Sequence, residues 1–96
     1  MKPQIKPGIV VKSQKGRDKG RLFMVLYQVD ADFVMVCDGK LRKLDKPKKK
    51  RCKHLTALPY EMEQHLALYA ANRLKDSDIR KELDKILYEL TDRDKA

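Results

Sequence analysis

The sequence predicts a mainly β protein: a small barrel of about five short strands over residues 1–58, followed over residues 59–96 by an extension of one or two helices. Three observations carry this. Two apolar runs, residues 21–29 and 33–37, are separated only by the polar break Asp30-Ala31-Asp32. Turn residues then punctuate the chain at short intervals up to residue 55, as in small closed sheets. Past residue 75 the apolar period changes from that of a strand to that of a helix.

The elements follow in order. Gly8-Ile9-Val10-Val11-Lys12-Ser13 is short, β-branched and bounded by Pro7 and the Gly16 region, so it reads as a first strand. Residues 21–29 are continuously apolar and could be a buried helix by periodicity alone. Gly20 before them and the turn after them decide for a strand, paired in a hairpin with residues 33–37. Asp38-Gly39 is a tight-turn signal, because glycine tolerates the positive φ of a two-residue hairpin. Lys40-Leu41-Arg42-Lys43-Leu44 breaks strict alternation and is expected to form a short strand with a bend. Asp45-Lys46-Pro47 marks the next break, and residues 48–55 read as a final, very basic strand. Closing four or five such strands into a barrel would remove exposed sheet edges.

In the tail, Ile79, Leu83, Ile86, Leu87 and Leu90 fall on one stripe of a helix over residues 78–90. Ser77 is the expected N-cap, with Asp78 favourable to the helix dipole. Counted from Ser77, no capping box exists, since the third position on is Arg80. A second helix is expected over residues 61–74, with Met62, Leu66, Tyr69 and Ala70 inward and Pro59 near its start. The stripe at 79–90 is expected to pack on the barrel or on the 61–74 helix.

Charge is distributed unevenly. The formal net charge is +9, yet residues 1–58 hold 16 Lys/Arg against 5 Asp/Glu, a net of +11, and residues 59–96 hold 7 against 9, a net of −2. Such a partition points to a polyanionic partner for the first part. Two arrays stand out. Lys15, Arg17, Lys19 and Arg21 surround the loop glycines Gly16 and Gly20, which can adopt backbone conformations closed to other residues and let a sugar-phosphate chain approach. Arg42, Lys43, Lys46, Lys48, Lys49, Lys50, Arg51 and Lys53 place eight cations in twelve positions, pinned at their ends by Leu41, Leu44 and Leu55. His54, at the end of that array, reads as phosphate-adjacent. The two arrays are expected to form one continuous face, with the helical tail on the far side.

The stretch Pro7-Gly8-Ile9-Val10-Val11-Lys12-Ser13-Gln14-Lys15-Gly16-Arg17-Asp18-Lys19-Gly20-Arg21-Leu22-Phe23-Met24-Val25 resembles the KOW motif of ribosomal proteins and of bacterial transcription elongation factors: a strand, a basic glycine-bearing loop and a second strand. The order of features through Asp38-Gly39, residues 41–50 and Lys53-His54-Leu55 is similar to that of short bacterial KOW-domain proteins. It is also similar to the barrel domain of certain archaeal and eukaryotic large-subunit ribosomal proteins. Ile79-Arg80 and Leu83 match loosely a helix in the tails of the bacterial proteins, and residues 57–75 match no family pattern. The resemblance implies an SH3-like barrel and binding to RNA, ribosomal RNA or the ribosome itself, with ribosomal proteins as neighbours. The preference for RNA over DNA comes mainly from the resemblance. Phe23, Tyr27 and Phe33 read as core, and Tyr60, able to stack, reads as covering the base of the barrel. With no aromatic platform expected, recognition should rest on phosphates and on the shape of structured RNA, with little sequence preference.

Other functions fit poorly. Cys37, Cys52, His54 and His65 include no CxxC pair, and Cys52-Lys53-His54 is an unusual ligand spacing, so neither metal nor cofactor is expected. Gly16 and Gly20 lack the Walker spacing, Cys37 has no nearby His in the sequence, and Glu61, Glu63, Glu82 and Glu89 read as solvated helix charges, so neither an enzyme nor a small-molecule substrate is expected. Two cysteines make no disulfide framework, and no apolar run nears the roughly 18 residues of a membrane span. The basic N-terminal stretch has no apolar segment behind it, so the protein reads as cytoplasmic and unexported. The basic arrays lack the interleaved large apolar residues of a membrane-surface helix. The competing reading is a protein-interaction module that uses the barrel and the tail helix as an adaptor in transcription or translation.

Overall fold

The computed structural model describes residues 3–95; Met1 and Lys2 of the basic N-terminal stretch and the last residue, Ala96, lie outside it. Five strands form one antiparallel sheet: β1 (Ile9–Ser13), β2 (Leu22–Gln28), β3 (Phe33–Cys37), β4 (Lys48–Arg51) and β5 (Leu55–Glu61), in the order β4-β3-β2-β1-β5. Two helices follow, α1 (Glu63–Ala70) and α2 (Asp76–Lys95). The edge strands β4 and β5 are joined only by a one-turn 3-10 helix, Cys52–His54. A flat five-stranded sheet would hold its edges about 19 Å apart, at about 4.8 Å per step, whereas a 3-10 turn rises only about 2 Å per residue. The sheet must therefore curl. The turn is anchored at both sides of the curl: the Cys52 N–H donates to the Asp32 carbonyl beside β3, and the His54 carbonyl accepts from Gln14 N–H beyond β1.

Curling explains why β2 is apolar at five consecutive positions, since both of its faces are buried. Ile9, Val11, Phe23, Val25, Val34, Val36 and Leu55 form one buried cluster. Val10, Leu22, Met24, Leu26 and Cys37, alternating with them, form a second with Met62, Ile79, Leu83 and Ile86. The tail stripe thus packs on the sheet, as expected, and one core spans strands and helices. Leu87 departs from the expectation and stands 47% exposed, because helical rotation carries it past the edge of the stripe that meets the sheet.

Several boundaries differ from the sequence reading. Residues 40–44 form a loop, not a strand. The Asp38 carboxylate accepts the N–H groups of Lys40 and Arg42 and satisfies backbone that a strand would have paired. The basic strand stops at Arg51, and β5 runs Leu55–Glu61 across residues expected to lead into a helix. Pro59 fits there because β5 is an edge strand, irregularly paired with β1 between Ile9 and Val11. The first helix is accordingly short. It ends with Asn72 at φ 60°, the Asn72 N–H on the Tyr69 carbonyl and the Arg73 N–H on the Leu68 carbonyl, a Schellman closure. Met62, Leu66 and Tyr69 pack inward, whereas Ala70 is exposed. Helix α2 begins one residue before Ser77, at Asp76. Asp78 reaches back to the Lys75 N–H at 3.2 Å, and the Asp76 carboxylate accepts the Leu44 N–H at 2.8 Å, so acids serve this helix start where a serine cap was expected.

Candidate nucleic-acid interface

The β1–β2 loop is tightly folded. The Lys19 N–H donates to the Gly16 carbonyl and the Arg21 N–H to the Asp18 carbonyl, while Ser13 and Gly20–Arg21 close the base through two further backbone bonds. Gly16 and Gly20 hold positive φ, with open space where a side chain would stand. This geometry leaves Lys15, Arg17, Lys19 and Arg21 exposed.

Asp18 is the exception in the loop, buried to 7% exposure. Its carboxylate accepts a 2.8 Å hydrogen bond from Lys50 Nζ on β4 and lies 3.7 Å from an Arg42 nitrogen and 3.9 Å from Arg21 Nε. The Lys50 bond holds the Asp18 carboxyl below the usual carboxylate range, against burial that alone would raise it; Arg42 and Arg21 add to the lowering. Asp38 makes the second junction: besides its two amide bonds, its carboxylate lies 3.9 Å from Arg21. Two buried acids therefore draw the β1–β2 loop, the β3–β4 loop and β4 together, and most cations around them remain exposed.

His54 marks the same crowding. Its imidazole is held below its ordinary pKa, first by desolvation and then by Lys53, Lys15, Arg51 and Lys50. Lys15 of the loop, Lys50 and Arg51 of β4 and Lys53 of the 3-10 turn thus all act on His54. Lys49 and Arg51, however, lie over Phe33 on the face of β4 opposite to Lys50, so the expected single continuous face is divided by the alternation of the strand. Lys48, Lys49, Arg51 and Lys53 are exposed, and so are Lys43 and Lys46 in the β3–β4 loop. That loop is pinned to α2 by the Leu44–Asp76 bond. No ion pair joins Lys43 or Lys46 to the Asp18 centre among the described residues.

Three sequence-level expectations change. Lys50 is turned inward, its side chain only 14% exposed and its ammonium 5.5 Å from the centre of the Phe23 ring, so it holds the site together. Arg42, half-buried against the same acid, is likewise partly structural. Tyr27 and Phe33 are not core. Tyr27 is 44% exposed and Phe33 half-buried: the register of β2 shifts beside Tyr27, and Phe33 is the first residue of β3, at the end of the sheet next to the β2–β3 turn. Asp18 itself escaped the sequence reading. The signal available was one acid at the centre of a four-cation loop.

Cys37 is fully buried, and desolvation, with Asp76 and Asp38, pushes its thiol up to about 12. Such a thiol is unreactive at neutral pH. Cys52 lies in the 3-10 turn and not in a strand, and both cysteines are free. Among the described residues no group of three His, Cys, Asp or Glu could hold a metal, and no helix is long and apolar enough to cross a membrane. Family models give no match to this chain, and neither do curated proteins.

Proposed function

We propose that this protein is a non-catalytic RNA-binding protein, an SH3-like barrel of the KOW type that associates with ribosomal or other structured RNA through its cationic loop and strand face. The observation that carries the reading is the Asp18 junction. One buried carboxylate gathers Lys50, Arg42 and Arg21 from three segments, while Lys15, Arg17 and Lys19 stay exposed on a loop tied down by its own backbone. Packing like charges together destabilises a fold. A polyanion relieves that repulsion and gains from releasing its counterions. The curl of the sheet supports the barrel, and the glycine-bearing loop between β1 and β2 supports its type.

The test compares two charge-reversed proteins for binding to a labelled RNA hairpin. Lys15→Glu with Arg17→Glu and Lys19→Glu should weaken binding by at least about a hundredfold. Lys81→Glu with Lys85→Glu, exposed on α2, should leave it nearly unchanged. Equal losses, or none, would remove the basic face as the binding surface. Association with the ribosome is tested by gradient sedimentation of lysate. Salt-labile co-migration with the large subunit supports an associated factor, salt-resistant co-migration an integral component, and material left at the top of the gradient contradicts both.

A second reading has its own observation. Leu87 and Tyr88 on α2 are 47% and 71% exposed, which suits an adaptor contacting another protein. That reading predicts binding indifferent to salt.

A further inference from the structure

The outer surface of β3 and β4 holds side chains that the basic loop leaves unused. The register of β2 against β3 shifts between Val25 and Tyr27, so Leu26 and Tyr27 both fall on the helix side of the sheet. Leu26 is covered by the helices, and Tyr27 is 44% exposed. From there the register continues outward: Tyr27 opposite Met35, Met35 opposite Lys49, and Phe33 opposite Arg51. Phe33 and Met35 are half-buried, while Lys49 and Arg51 are exposed. Lys49 Nζ lies 4.7 Å from the centre of the Phe33 ring and the Arg51 guanidinium 5.0 Å from it. The result is an open shelf of two aromatic rings and a thioether with two cations over its far end.

We propose that this shelf stacks an unpaired base of the bound RNA, with Lys49 and Arg51 taking the flanking phosphates. The inference rests on the RNA-binding reading and extends it from paired to unpaired nucleotides. As Lys49 and Arg51 swing from over the Phe33 ring to the phosphates, a base can offer its π-face to that ring and to Tyr27, and such stacking tolerates any sequence. Charge complementarity favours a nucleotide over an apolar peptide, since the cations already sit above the ring. The acids nearest in sequence, Asp30 and Asp32, lie in the β2–β3 turn, where the Asp30 carboxylate is engaged by the Asp32 and Phe33 N–H groups.

The experiment uses the full chain and two probes: an oligoadenylate carrying 2-aminopurine, and a fully paired RNA duplex. The wild type should bind both and quench the 2-aminopurine. Phe33→Leu and Tyr27→Leu should each lose about tenfold in affinity for the single strand and keep their duplex affinity. Tyr27→Leu changes an exposed position, so it remains informative if Phe33→Leu disturbs the sheet. Variants that bind the single strand like the wild type, or that lose both probes equally, overturn the stacking shelf and leave the basic face standing. A wild type that binds neither probe overturns both.

Discussion

Asp18 is the residue on which the arrangement turns. Its carboxylate is ionised more readily in the folded protein than in a free chain, so its stabilisation is complete above the ordinary carboxylate range near pH 3.9. It is lost as pH falls below that range through the lower folded value. Asp18→Asn should destabilise the protein by about 1–3 kcal/mol at neutral pH. The difference from wild type should shrink below about pH 4; denaturant unfolding across pH measures both. A difference that persists unchanged in acid would remove the Asp18 charge as the cause. His54 behaves in the opposite sense. Desolvation first, and then its neighbouring cations, depress its pKa, and RNA phosphates would offset the cations and raise it. Affinity for RNA should then rise as pH falls from the bound-state pKa through the free-state one, and an NMR titration with and without RNA reads the shift. Gly39 is a purely structural residue. A Cβ there would overlap the Asp76 carbonyl oxygen at the start of α2, and its φ is +75°. Gly39→Ala should lower stability by about 2–3 kcal/mol in thermal or denaturant unfolding.

Strand β4 shows how alternation divides four basic residues between different tasks. Lys50 points to Asp18, while Lys49 and Arg51 lie over Phe33 on the other side of the sheet. Lys50→Glu would set a second carboxylate against Asp18 and should destabilise the fold by about 3 kcal/mol or more. Lys49→Glu should stay within about 1 kcal/mol of wild type. Equal destabilisation by the two would contradict this division. The β2–β3 hairpin was legible because its apolar runs are long and its break is short. The tail helix was legible because its stripe keeps the helical period. Residues 40–44 and Pro59 were not, because their conformations depend on distant partners: the Asp38 carboxylate and Asp76 for the loop, and an edge position beside irregular pairing for the proline. The basic loop could be read from its glycines and charges. Which cations are structural could not, since that depends on where the curl of the sheet carries β4.

At the scale of the molecule, one core joins a basic sheet to a slightly acidic helical tail. Ile79, Leu83 and Ile86 complete the cluster begun by Val10, Leu22, Met24, Leu26 and Cys37. Removing residues 76–96 would therefore uncover the sheet, and Leu83→Ala alone should cost about 2–4 kcal/mol. Charge is partitioned along the chain, +11 before residue 59 and −2 after it, but not to opposite ends: Arg80 and Asp84 of α2 line one cleft with Gly20 and Arg21, so the tail is not on the far side from the basic loop. The central claim is that the cations of the β1–β2 loop and its neighbours neutralise several RNA phosphates together. The dependence of affinity on salt for a structured RNA tests it most directly. With about five phosphates engaged, the logarithm of the association constant should fall against the logarithm of salt concentration with a slope of roughly −3.5 to −4.5. Binding that is insensitive to salt, or absent at low salt, would contradict it.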